Sequence, residues 1–265
     1  MGGRGGLRRV FGRWLLAAGL VGTSGCLSFC HPVAKPAPEL VQPCQVAPKC
    51  CRDHVYVFLV HGLDPFNFAN LSGLRDYVQA LGFHKTYYGQ LYHASSFAHA
   101  IRQIHHDDPD AHFVLIGFSY GANVARHLAH VAQEEGVTVD LLVYLGGNTL
   151  KNCPHDQPEN ALRIVNILAS GCIWNGATFD RAENIHEPDV WHFGSPTHRQ
   201  TLETLAHELA QVAANLPLPP EEVDEAPAPR PVLPGVPAPR GEWDFLKPVP
   251  QLAMPPAEDE PVKKP

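Results

Sequence analysis

Apolar and polar positions alternate along the middle of this chain in a way that predicts repeated strand and helix units. His54-Val55-Tyr56-Val57-Phe58-Leu59-Val60 is a short, nearly continuous apolar run ending at His61-Gly62, the pattern of a strand covered on both faces. Phe68, Leu71, Leu74, Val78 and Leu81 then recur every three or four residues up to Gly82, which predicts an amphipathic helix with a glycine stop. Thr86 to Tyr92 reads as a second strand. A helix capped by Ser95 or Ser96 carries Phe97, Ile101 and Ile104 and is closed by Pro109. Ala111 to Phe118 is another apolar strand, and the helix after Ser119 places Val124, Leu128 and Val131 on one face before Gly136. Val139 to Leu145, Ala161 to Ala169 and the weaker Asn184 to His186 predict three more strands. A last helix begins near Ser195-Pro196 and buries Leu202, Leu205, Leu209 and Val212. Repeated β-α units of this kind imply an α/β fold, a mostly parallel sheet flanked by helices on both faces.

The flanks do not share this pattern. Arg4, Arg8, Arg9 and Arg13 precede an apolar run from Trp14 to Gly22, and Thr23-Ser24-Gly25 leads into Cys26. A basic region, a short apolar region and small residues describe an export signal over 1–25, too short to span a bilayer stably. A cysteine directly after small residues resembles a bacterial lipobox, so Cys26 is the expected site of lipid attachment, although Thr23 stands where leucine is usual. Arg8-Arg9-Val10-Phe11 adds a faint likeness to a twin-arginine signal. The expected location is therefore a membrane-anchored lipoprotein facing the periplasm or cell exterior, with plain secretion as the alternative. Residues 26–52 read as a Cys- and Pro-rich linker, an extended spacer from a membrane surface. The stretch 217–265 holds 15 of the 26 prolines and cannot sustain a helix or a ladder. It reads as a disordered tail, with Trp243-Asp244-Phe245-Leu246 as a small apolar cluster within it. The folded domain is thus expected over 53–216, long enough for one core.

Charge and cysteine content narrow the partners. Losing four leader arginines moves the net charge from −7 to −11, so nucleic acid is not expected to bind. Setting Cys26 aside leaves Cys30, Cys44, Cys50, Cys51, Cys153 and Cys172, an even number that makes disulfides an expectation in an oxidising compartment. Their spacings do not match a zinc site. His105-His106-Asp107-Asp108 reads as a polar helix end rather than a metal site, and Tyr87, Tyr88 and Tyr92 read as strand core. No metal or cofactor is expected.

The chemistry is expected at Gly117-Phe118-Ser119-Tyr120-Gly121, where an apolar strand gives way to an amphipathic helix. A nucleophile on so sharp a turn has close neighbours, and side chains at Gly117 and Gly121 would collide with them. The turn lifts the hydroxyl out of the sheet, and the helix N-terminus favours negative charge beside it. In this context the segment from Asp53 to Leu216 resembles the α/β-hydrolase family, in particular its small lipases and esterases, with little or no lid.

The resemblance implies a set of roles. Ser119 would be the nucleophile. The backbone N–H groups of Leu63, after His61-Gly62, and of Tyr120 would form the oxyanion hole, leaving His61 structural. The base would follow the last strand, at His192 in Asp189-Val190-Trp191-His192-Phe193-Gly194, with His198 as its rival. The acid is the weak point: the strand before the last ends Ala169-Ser170-Gly171-Cys172 with no carboxylate. Asp180 is the nearest downstream candidate, Glu183 and Asp189 are alternatives, and Asp156 or Asn148 would serve if the acid follows the preceding strand. The expected activity is hydrolysis of a carboxylic ester, a small molecule or a lipid, through an acyl-enzyme. A catalytically impaired hydrolase-fold binding protein or structural envelope lipoprotein is the alternative.

Overall fold

The computed structural model describes residues 30–146, 157–170 and 176–217. The leader, Cys26, Asn148, Cys153, Asp156, Cys172 and the tail beyond 217 lie outside them. Among the described residues six strands form a single sheet: β1 (Val55–Val60), β2 (Thr86–Gly89), β3 (His112–Phe118), β4 (Val139–Leu145), β5 (Ala161–Ala169) and β6 (Glu183–Glu187). Their spatial order is β2-β1-β3-β4-β5-β6, and every neighbouring pair is parallel. The order reverses between β1 and β3, so the chain leaves these two strands in opposite directions. A crevice therefore opens beyond their carboxyl ends.

The alternation of side chains along each strand explains the two cores. Val57, Leu59, Ile116, Val143 and Ile167 point to one face and pack under α3 (Leu71–Ala80) and α6 (Arg199–Ala214). Phe58, Val60, Leu115, Leu142 and Tyr144 point to the other, under α4 (Ala94–Asp107) and α5 (Tyr120–Glu134). On α5 the buried stripe is Ala122, Ala125, Leu128, Ala129 and Ala132, not the valines the periodicity selects. Small residues let this helix lie close to the sheet, while Val124 and Val131 are only partly covered. The second strand ends at Gly89 rather than Tyr92, so of the tyrosines expected as strand core Tyr92 lies beyond it in a short 3-10 turn, 78% exposed, and Tyr87 is exposed on one side, although it stacks on Phe58 at 4.8 Å.

The segment expected as a spacer is packed instead. Residues 30–52 contain two short helices, α1 (Pro38–Cys44) and α2 (Lys49–Arg52). Cys44 is fully buried and its thiol donates to the carbonyl of Ala206 on α6 at 3.3 Å. Arg52 donates to the carbonyls of Ala47 and Gly82, and Leu40 and Val41 pack against the α3–α6 core. Buried apolar residues spaced along this stretch, not its proline content, decide its fate. The disulfide expectation also changes: Cys30, Cys44, Cys50 and Cys51 are free thiols. Burial raises the Cys44 thiol to about 11, so it stays protonated and inert.

Candidate active site

Ser119 follows the last residue of β3 and caps α5, with φ 55° and ψ −124°. A non-glycine residue at positive φ is held there only by its surroundings. The surroundings are close. A methyl group on Gly117 would strike the backbone of Gly121 and Ala122, and one on Gly121 would strike the carbonyls of Val60 and His61. The collision argument made from sequence therefore has a physical basis at both glycines. Ser119 N–H donates to the carbonyl of Leu145 at 3.0 Å, which ties the turn to β4.

His192 lies in the connection between β6 and α6, only 3% exposed. Its Nε2 is 2.7 Å from Ser119 Oγ. Its Nδ1 is 3.2 Å from the carbonyl oxygen of Gly146. A carbonyl can only accept, so Nδ1 carries the proton and Nε2 accepts from the serine hydroxyl, the tautomer a general base requires. Burial holds the His192 pKa below the usual histidine value, opposed by the carbonyl of Gly146 and the negative charge of Asp64. The imidazole is then neutral and ready to accept a proton in mildly acidic solution. Hydrolytic activity that depends on this group should rise with pH through a midpoint below the ordinary histidine value of 6.5, read from the acidic limb of kcat/KM; a midpoint above 7 would contradict it.

His198, the rival base, is elsewhere. Its Nδ1 is 3.0 Å from Glu187, the last residue of β6. Glu187 is fully buried and also accepts from Ser195 Oγ at 2.8 Å and Thr201 Oγ1 at 2.6 Å, while its backbone carbonyl accepts from Ser170 Oγ. Strand pattern alone ends β6 at His186, one residue short, and so misses this carboxylate. Glu187 clamps both ends of the loop that carries His192. Glu187→Ala should cost about 3 kcal/mol, because it strands two buried donors, the Ser195 and Thr201 hydroxyls, and releases the half-buried His198, and should lower kcat as the loop loosens; Glu187→Gln should recover part of both, measured by urea unfolding and steady-state kinetics.

Asp180 does not reach the base. It lies in the exposed turn before β6, beside Arg181, whose guanidinium donates to the carbonyl of Pro158 ahead of β5. In a parallel sheet that turn belongs to the amino-terminal edge, whereas Ser119 and His192 occupy the carboxyl edge. The length of β6, roughly 15 Å, separates them. Glu183 opens β6 at the same wrong edge and pairs with Arg163. Asp189 is exposed at φ 60° in the turn after β6. Asp180→Asn should leave kcat/KM within about twofold of the parent enzyme; a loss above 100-fold would restore it as the acid. Gly146 instead directs attention to the chain after β4, where Asn148 and Asp156 follow in sequence.

The β1–α3 loop faces the nucleophile. A methyl group on Gly62 would come within 2.7 Å of Ser119 Cβ and of the Phe118 carbonyl, so the loop lies directly against the serine. Leu63 follows with its side chain largely exposed, and Tyr120 opens α5. His61 is fully buried and its Nε2 donates to Asn67 Oδ1 at 3.1 Å. Asn67 in turn donates to Ser72 Oγ at 2.6 Å, and Asn70 Oδ1 caps α3 through Gly73 N–H at 3.1 Å. Asp64, 4% exposed, accepts from Ala69 N–H at 2.7 Å. These bonds stiffen the loop and give His61 a structural place. Gly62 belongs to the His61-Gly62-Leu63 segment expected as the oxyanion loop; Asp64 and Gly146 are parts of the site that the sequence pattern does not point to.

The sheet order, the turn at Ser119 and the placement of His192 give the chain the architecture of the α/β-hydrolase fold. Among solved structures it is similar to a protein described as a CIB-like hydrolase from Thermoplasma acidophilum, at 12% identity and TM-score 0.42, covering 60% of this chain and 87% of that one. It is also similar to a hydrolase of the alpha/beta superfamily from Xanthomonas campestris pv. campestris, at 15% identity and TM-score 0.41, covering 61% and 99%. A third, RedJ, a thioesterase of the prodiginine pathway in Streptomyces coelicolor, is 14% identical with TM-score 0.40, covering 67% and 91%. No family model matches the chain, and no curated protein matches it.

Proposed function

We propose that the protein is a serine hydrolase acting on carboxylic esters. The observation that carries this reading is the 2.7 Å approach of His192 Nε2 to Ser119 Oγ on a strained strand-to-helix turn, because a fold scaffold alone does not define an activity. His192 takes the serine proton as Oγ attacks the ester carbonyl. The backbone N–H groups of Leu63 and Tyr120 hold the resulting oxyanion. The protonated His192 then delivers its proton to the leaving alcohol, and water, deprotonated by the same imidazole, releases the acid and frees Ser119. The residue that supports the charged imidazole is proposed to follow β4, Asp156 or Asn148. Fluorophosphonate labelling of the purified protein, with p-nitrophenyl esters of increasing chain length, tests the reading: labelling confined to Ser119 supports it, and a folded but unlabelled protein overturns it. Lipidation at Cys26, which would hold the enzyme on a membrane facing the periplasm or exterior, is proposed on the lipobox-like segment alone.

A further inference from the structure

The first residues described after Cys26 do not lead away from the active site; they end on it. The His31 ring packs on Phe68 with centroids 5.0 Å apart and on Trp191 at 5.6 Å, and Trp191 is the residue before His192. Asn70 Nδ2 donates to the His31 carbonyl at 2.8 Å, fixing the strap to the start of α3. Four residues separate Cys26 from His31, and five extended steps of at most about 3.5 Å each span no more than roughly 18 Å.

The surface beside this attachment is apolar. Leu63 is 72% exposed, Phe66 51%, Trp191 48% and Tyr120 39%. All four come from segments at the carboxyl edge of the sheet, two from the β1–α3 loop, one from the His192 loop and one from the first turn of α5. Asp64, the acidic residue between Leu63 and Phe66, is turned inward; Asp189 is the exposed charge of the neighbouring loop. Exposed aromatic and aliphatic side chains of this kind suit the boundary between headgroups and acyl chains. The acidic net charge of the chain would not draw it to anionic lipid, so contact would rest on these side chains.

We propose that the short tether holds the catalytic mouth against the bilayer that anchors the protein, and that the substrate is an ester carried by a membrane lipid. This rests on the serine-hydrolase reading and on a lipidated Cys26. The strap acts as a positioning device: the anchor, His31 and Trp191 set the mouth at the interface, where the ester carbonyl of a lipid is presented.

The test uses the full-length protein purified from membranes and reconstituted into phosphatidylcholine vesicles containing 4-methylumbelliferyl oleate, with p-nitrophenyl acetate in solution as the reference. Three variants are compared: Cys26→Ser, Phe66→Ser, and a twenty-residue Gly/Ser insertion between Leu27 and Ser28. Acetate hydrolysis should stay within twofold in all three. Oleate hydrolysis in vesicles should fall at least tenfold in Cys26→Ser, at least fivefold in Phe66→Ser and at least threefold with the insertion. Vesicle rates that ignore both the insertion and Phe66→Ser, while acetate hydrolysis persists, would overturn the proposal, as would an unmodified Cys26 thiol by mass spectrometry of the membrane form. Loss of both activities in the parent protein would instead sink the hydrolase reading, and this proposal with it.

Discussion

Ser119→Ala is expected to remove fluorophosphonate labelling and to lower kcat on p-nitrophenyl esters by roughly 10⁴-fold or more, with His192→Ala close behind and the double variant no worse than either. The non-additivity is the diagnostic part. In the proposed mechanism serine and histidine act as one unit across the 2.7 Å hydrogen bond, so removing the second member of a broken pair should cost little. The backbone at Ser119 adds a second signature. Its φ of 55° and ψ of −124° are more easily adopted by glycine, so Ser119→Gly should be inactive and yet more stable by about 1 kcal/mol. A nucleophile kept in a strained conformation at the expense of stability is what a catalytic turn requires. Thermal unfolding beside activity measures both. If Ser119→Ala kept its turnover, hydrolysis would have to be assigned to another residue, and the geometry around His192 would lose its meaning.

The sheet was legible because its signal is local and repeated. Each strand is an apolar run with a turn signal at its end, and parallel strands buried on both faces need no finer pattern. The same reasoning pointed to Ser119, since strand, glycines and helix are neighbours in sequence, and to His192 from its place after the last strand, and the fold brings these two side chains within 2.7 Å. What escaped depends on the third dimension. Asp180 was chosen by nearness along the chain, but a parallel strand carries the chain from one edge of the sheet to the other, so a residue just before β6 and one just after it lie at opposite edges. Glu187 was missed by one residue at a strand boundary, where pattern is weakest. Residues 30–52 were read from composition, which reports proline but not that Cys44 and Ala47 are buried in the core beneath α3 and α6. On α5 the apolar period was right and the buried face was wrong, because close approach to the sheet favours alanine over valine.

Gly62→Ala should be the most damaging small change outside the serine and histidine. The added methyl would sit 2.7 Å from Ser119 Cβ and from the Phe118 carbonyl and 3.3 Å from Ser119 Oγ, so either the β1–α3 loop or the catalytic turn must move. The turn is held by β3, α5 and the Leu145 carbonyl, and Gly117 and Gly121 leave it no slack. The loop yields more easily, being fixed mainly by side-chain bonds through Asn67 and Asp64. Its retreat would carry the Leu63 N–H away from the oxyanion it is proposed to hold, and loss of one such donor costs about 10²–10³ in kcat. The serine–histidine pair would survive that retreat. Fluorophosphonate labelling should therefore slow without vanishing, while kcat for ester turnover falls and KM changes little. Equal damage to labelling, turnover and thermal stability would mean that the turn itself had moved, and that the strain at Ser119 is less firmly held than its contacts imply.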